Sequence, residues 1–405
     1  MREIIIRTIT VVVTVLIMLL LVEGALRLMP SLIGIAVLER FEPTLRGEVA
    51  DRLGMATRKE RVVISTEMRS DGGPDLELYF PNRRYIRRID SADMAAGGVD
   101  YFEADSLGFC NPPGIAEQRP IHVLTVGGSI PNCAAVAKEN NFTVWLGREL
   151  QATSYNMAQP GVGPYEYLEI LRRFSAPLNP SVVVMAISEG DDLVDIRRHH
   201  EFKALAAKPQ KKKKKKKKNG GGLFSVSYAL AFFKGGIELA ARQLKSSSEP
   251  EFRYGATVEG KRVALNINNS DNNELEVARL VSDGAVKPDI YAEAVSQFAA
   301  LARERGFRPL IVMVPSAYTA YRSTIVYSDP TVAPIMQRAA DIQRDWLAKT
   351  AADLGVAYFD AADYMQKAAA TRPLLYFPSN VHLTPEGHKA LAEAVAPAVR
   401  ALLGQ

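Results

Sequence analysis

The sequence predicts an α/β fold, a three-layer sandwich built on a mostly parallel sheet, with a transmembrane helix ahead of it. Three observations carry that reading. The runs at 121–126, 182–187 and 310–314 are almost wholly apolar, and each closes on turn residues: Gly127-Gly128-Ser129, then Glu189-Gly190-Asp191-Asp192, then Pro315. Segments of helical spacing lie between them, notably 289–305 and 333–353. Strands without a polar face must be covered on both sides, which is the condition of a parallel sheet between helix layers. The third observation is a charge-free run near the N-terminus, Thr8 to Val22.

That run continues to about Leu28, interrupted only by Glu23 and Arg27, and so approaches the roughly 20 residues a bilayer core demands. Arg2 and Arg7 precede it, which favours a cytoplasmic N-terminus. A cleaved signal peptide would show small residues at a cleavage site soon afterwards, and a soluble core helix would show a polar stripe. Neither pattern is evident before Glu23. The expected organisation is a cytoplasmic N-terminus over 1–7, a single span over 8–29 in the inner (cytoplasmic) membrane, a stalk and irregular cap over 30–100, and a periplasmic domain over 101–402.

Within that domain the strand at 121–126 leads to a helix over 142–151. A second helix runs from Pro164 to Phe174 and feeds the strand at 182–187. Residues 197–275 interrupt the alternation and read as an insertion. They hold the run Lys211 to Lys218, then Asn219 and three glycines, then an apolar helix-like stretch from Phe224 to Leu244. Like charges repel and glycine loses much entropy on ordering, so the lysine–glycine segment is expected to be a disordered loop. A helix over about 385–402 closes the chain.

Composition excludes some classes. The chain of 405 residues is 47% apolar and 23% charged, ordinary for a globular protein. Its net charge is +5, but eight positive charges sit in the lysine run, so the remainder balances at 5 − 8 = −3. A nucleic-acid-binding protein is therefore not expected. The run reads as a solvated tether, or as a contact to anionic lipid headgroups at roughly 1 kcal/mol per lysine. The two cysteines, Cys110 and Cys133, do not make a disulfide scaffold, although an oxidising compartment permits one bridge. His199 and His200 read as part of a surface helix, His388 as a helix-start residue, and Trp145 and Trp346 as core. No metal-ligand spacing, phosphate loop or dinucleotide fingerprint occurs, and no cofactor or metal is expected.

Candidate chemistry gathers where strands end. A serine nucleophile needs a base and oxyanion donors held at the rim of the sheet. Ser129 follows the first strand and two glycines, with a backbone N–H beside its hydroxyl. Gly161, in Gln159-Pro160-Gly161-Val162-Gly163, can bring another N–H close because it has no side chain. Asp191 ends the second strand, and Asn380 and His382 precede the last helix.

These blocks, in this order, resemble the SGNH/GDSL hydrolase superfamily over roughly residues 100–402, and the anchor resembles that of membrane-tethered bacterial members. Asp105 to Phe109 and Gly163 to Leu168 are similar flanking text. The resemblance implies a flavodoxin-like sandwich, an acyl-Ser129 intermediate, His382 as base and Gly161 as an oxyanion donor. Three positions depart from it. Gly128 replaces the aspartate of Gly-Asp-Ser, Asp191 stands where an asparagine should donate, and Asn380 stands where an aspartate should orient the histidine. An ionised carboxylate accepts only, and one lost oxyanion donor costs about 10²–10³ in rate. The resemblance also sets Cys110 and Cys133 near the nucleophile loop, so a disulfide bracing that loop is expected.

Two functions emerge as expectations. One is an ester hydrolase or acyltransferase on envelope glycans or lipids. The other is a catalytically degenerate pseudoenzyme serving as a membrane-bound binding, assembly or scaffold subunit with a protein partner. Gly128→Asp, Asp191→Asn and Asn380→Asp together are expected to restore activity.

Overall fold

The computed structural model describes residues 2–38, 40–53, 55–56, 61–63, 76–78, 81–82, 84–87, 100–133, 135–206, 226–246, 254–265, 274–327, 329–378 and 382–405. Lys211 to Lys218 and Asn380 lie outside the described residues, as does the side chain of Asp191.

The chain divides into two units. The smaller contains helices α1 (Arg2–Leu28), α2 (Ile35–Leu38) and α3 (Pro43–Arg52). The first has 27 residues, none of them buried over its most apolar window. It rises about 40 Å, more than a bilayer core of about 30 Å. It is the one helix among the described residues long and apolar enough to cross a membrane, and it begins six residues before the expected span. The same unit takes in the described residues 226–246 of the insertion. Tyr228 and Ala231 of that insertion join Leu26, Ile33, Leu38, Phe41, Leu45 and Val49 in a separate small core. Part of the expected insertion therefore packs with the N-terminal segment, and the stretch after Pro30 contains short helices rather than an irregular stalk throughout.

The larger unit is built on one five-stranded sheet. Its strands are β1 (Val123–Gly127), β2 (Ser154–Asn156), β3 (Val182–Ser188), β4 (Arg308–Val314) and β5 (Ala357–Asp360). They run in the order β2-β1-β3-β4-β5, and every pairing is parallel. This is the flavodoxin-like order. Every residue of β1 and β3 is buried, as expected for strands covered on both faces.

Right-handed crossovers decide which layer each helix joins. Helices α4 (Phe142–Leu150) and α11 (Pro385–Leu403) pack together on one face. Helices α5 (Pro164–Phe174), α8 (Ala292–Arg305) and α9 (Ala333–Asp353) cover the other. Between them in sequence lie α6 (Asp191–Ala206) and α7 (Tyr228–Ser246), and α10 (Ala362–Thr371) precedes α11. The chain enters β1 through a cis Arg119–Pro120 peptide. The expected three-layer α/β sandwich is the observed one.

Candidate active site

Ser129 stands in the turn that follows β1, half-buried. The glycine before that turn, Gly127, is required by a close approach. A Cβ there would meet the Pro131 ring at 2.5 Å and the Ala186 carbonyl at 3.1 Å. The chain thus folds back over the strand end at once, leaving Ser129 at the carboxyl rim of the sheet.

A network of buried amides holds this turn. Asn132 Nδ2 donates to the Ala158 carbonyl at 2.6 Å, and Asn156 Nδ2 donates to the Pro131 carbonyl at 3.0 Å. Asn156 is itself fixed, because its Oδ1 accepts the Ala158 N–H at 2.9 Å. Asn111 exchanges two bonds with the backbone of Asn156, 2.8 and 2.9 Å long, and reaches Asp105 Oδ2 at 2.9 Å. Asp105 also accepts the Leu107 and Phe109 N–H groups, each at 2.9 Å, and the Tyr155 hydroxyl at 2.5 Å. Burial and the neighbouring Asp105 charge push the Tyr155 phenol well above its usual range. A disulfide, Cys110–Cys133, ties the same two segments covalently. Satisfied networks of this kind rigidify a site. Sequence reading noted Asp105 only as flanking text and missed Asn111, Asn132 and Asn156.

Gly161 lies in the exposed turn between β2 and α5 with φ +74°, a conformation that favours glycine. The turn adjoins the nucleophile loop, since a Cβ on Gly128 would point 3.5 Å from the Val162 carbonyl. That same Cβ would meet the Tyr167 hydroxyl at 2.8 Å. Tyr167 is fully buried, and its hydroxyl donates to Asp192 Oδ1 at 2.5 Å. Asp192 Oδ2 accepts the Ser188 N–H at 2.6 Å. Burial, then the Asp192 charge, raises the Tyr167 phenol far above its ordinary value. The place beside Gly128 is therefore not vacant. A phenol from α5, bonded to a carboxylate from α6, occupies it. Gly128→Asp therefore requires the Tyr167 hydroxyl to shift.

Asp191 is the first residue of α6, reached through Gly190 at φ +88°. Just before it, Glu189 is buried between the ends of β3 and β4. Its Oε2 accepts the Ser316 N–H at 2.7 Å and its Oε1 accepts the Thr319 hydroxyl at 3.0 Å. Burial nevertheless pushes its carboxyl up to about 7, the two hydrogen bonds opposing.

His382 is half-buried on the segment between α10 and α11. Its carbonyl accepts the Phe377 N–H at 3.0 Å, and Tyr376 pairs with Leu383. Phe377 clusters with Ala135 and Val136, which lie just past the nucleophile turn. Thr384 caps α11 by accepting the Gly387 N–H at 3.1 Å. Gly387 is required there because a Cβ would run into the Leu375 carbonyl. His388 is buried in the first turn of α11, where its Nδ1 accepts the Phe142 N–H at 3.1 Å. Burial, then the nearby His382, lowers it to about 3, so it is neutral at ordinary pH.

Ser129, Gly161, Asp191 and His382 thus all lie on segments at the carboxyl edge of the sheet, where ligands bind in such folds. His199 departs from the surface-helix expectation. It is buried and stacked on Tyr165 with ring centroids 3.7 Å apart, because α5 and α6 pack face to face. Among the described residues no cluster of three or more His, Cys, Asp or Glu could hold a metal.

No protein-family profile matches the chain, and no curated protein matches it. Among solved structures it is similar to TesA, at 12% identity over 69% of this chain and 99% of that one, with a TM-score of 0.36. It is similar to a carbohydrate acetylesterase family member from Sinorhizobium meliloti, at 14% identity over 70% and 100%, with a TM-score of 0.32. It is also similar to a GDSL-like lipase from Bacteroides thetaiotaomicron, at 11% identity over 71% and 94%, with a TM-score of 0.33.

Proposed function

We propose that the chain is a serine ester hydrolase or acyltransferase of the SGNH/GDSL type, anchored by α1 in the inner membrane with its larger unit on the periplasmic side. It would act on envelope glycans or lipids. The observation that carries this reading is the bracing of the Ser129 turn by Asn132, Asn156 and the Cys110–Cys133 bond. A plain surface turn needs no such support, whereas a nucleophile must be held to within about 0.5 Å of its working geometry.

In the proposed reaction Ser129 Oγ attacks the acyl carbon and its proton passes to His382. The oxyanion takes hydrogen bonds from the N–H groups of Ser129 and Gly161. The ester C–O bond breaks as His382 returns the proton to the leaving alcohol. Water or an acceptor hydroxyl, deprotonated by His382, then displaces the acyl group from Ser129. The buried carboxylate at 192, tied to Tyr167, fixes the head of α6 beside this site.

A second reading, a scaffold or assembly subunit with a degenerate cleft, draws support from Asp191 and Asn380. A fluorophosphonate probe separates the two. The enzyme reading expects labelling of the full chain, lost in Ser129→Ala and slowed at least about 10²-fold in His382→Gln. Folded, disulfide-bonded protein that takes no label would leave the scaffold reading in place.

A further inference from the structure

Helix α7 is apolar on two opposite faces. One face is used within its own unit: Tyr228, Ala231 and Gly235 are buried, and Gly235 is close enough to α2 that a Cβ would meet the Val37 carbonyl at 3.0 Å. The spacing 228, 231, 235 is that of one helical stripe. Leu230, Phe233 and Ile237 repeat at 230, 233 and 237, a second stripe about 160° round the helix, and Val226 lies in the turn just before it. Val226 is 60% exposed, Phe233 45% and Ile237 69%, and Leu230 is half-buried. An exposed apolar stripe opposite a buried one calls for a second partner.

The start of α7 is bonded to the last turns of α1. Glu23 accepts the Ser227 hydroxyl at 2.9 Å and the Ala229 N–H at 2.8 Å. It thereby satisfies an N-terminal donor of α7, as a capping residue does. Arg27 donates to the Val226 carbonyl at 2.7 Å and lies over the Tyr228 ring at 4.6 Å. The Tyr228 hydroxyl in turn donates to Glu48 at 2.9 Å. From Arg7 to Arg27 the helix rises about 30 Å, the thickness of a hydrocarbon core. The last turns, with Glu23 and Arg27, are thus where a spanning α1 leaves the hydrocarbon, and α7 begins at that depth.

We propose that α7 lies in the headgroup boundary of the same bilayer, with Val226, Leu230, Phe233 and Ile237 turned into the lipid. The unit is then held to the membrane by a span and by an interfacial helix clamped to its end. This rests on the reading of α1 as a membrane span. Amphipathic helices bury their apolar face about 5–10 Å into the headgroup region, which suits a helix whose first turn is bonded to the emerging end of a span.

The test uses the full chain in nanodiscs of phosphatidylcholine and phosphatidylglycerol. Single-cysteine variants Ile237→Cys, Glu238→Cys and Leu16→Cys each carry an environment-sensitive fluorophore, since both native cysteines are in the disulfide. Glu238 is exposed and about 100° round the helix from Ile237. Lipid-borne nitroxide should quench the probes at 237 and 16 at least about twofold more than the probe at 238, with iodide showing the reverse order. Lipid quenching at 16 with iodide quenching at 237 would leave the span intact and overturn the interfacial helix. A probe at 237 shielded from both quenchers would overturn it in favour of a protein partner or a second copy. A probe at 16 that lipid nitroxide does not reach would remove the span, and this proposal with it.

Discussion

Tyr167 limits what the nucleophile turn can carry at position 128. Its hydroxyl lies 2.8 Å from where a Cβ of residue 128 would stand, so Gly128 and Tyr167 are coupled sterically. Gly128→Ala alone should cost about 1–3 kcal/mol, the usual range for overpacking a filled site. In the Tyr167→Phe background the hydroxyl is gone and the added methyl should cost little. A double-mutant cycle by chemical denaturation should therefore give a coupling of at least about 1 kcal/mol. Strictly additive costs would show that the phenol does not hold this turn. The turns at Ser129 and Gly161 were legible because Gly127-Gly128 closes an apolar run and Pro160-Gly161 marks a turn in any single sequence. Asn111 and Asn156 were not, since two lone asparagines 45 residues apart have no period to betray them.

Between elements, the joint of β3 and β4 carries a titrating group. Glu189 receives bonds from Ser316 and Thr319 just beyond β4, yet burial lifts it to about 7 from an ordinary value of 4.5. A carboxyl raised on folding binds its proton more tightly in the native state. Its contribution is greatest below the unfolded value and is lost as pH rises through the folded one. Between about pH 5 and pH 8 that loss is on the order of 3 kcal/mol. Glu189→Gln cannot titrate, so its stability relative to wild type should rise across this window in urea melts at the two pH values. A constant difference would show that Glu189 does not carry the shift. The central strands were legible from their unbroken apolar runs. The edges β2 and β5 were not: they have three and four residues, and β5 is only half-buried. Their places come from crossover handedness once the middle of the sheet exists. The packing of α7 with α1 was hidden for another reason, because its bonds join residues 204 and 206 apart.

For the whole molecule the proposed compartment rests on the N-terminal helix. Arg2 and Arg7 precede the apolar run, and under the proposed topology the positive-inside rule would keep them cytoplasmic and export the chain beyond the span. A reporter that works only outside the cytoplasm, fused at Gln405, should be active. A cytoplasmic reporter active at the same position, with the exported one silent, would refute this topology. Exported chains meet oxidants that cytoplasmic ones do not, and this gives the Cys110–Cys133 bond a meaning beyond its contribution to rigidity. In a reducing compartment the same chain carries two thiols, and the loop around Ser129 loses its covalent tie to the Asp105–Asn111 segment. Maturation of the site is then conditional on delivery. On the proposed reading, a copy stranded on the wrong side of the membrane would keep Ser129 but not the tether that aims it, and the proposed chemistry would be withheld from the cytosol's own esters until export is complete.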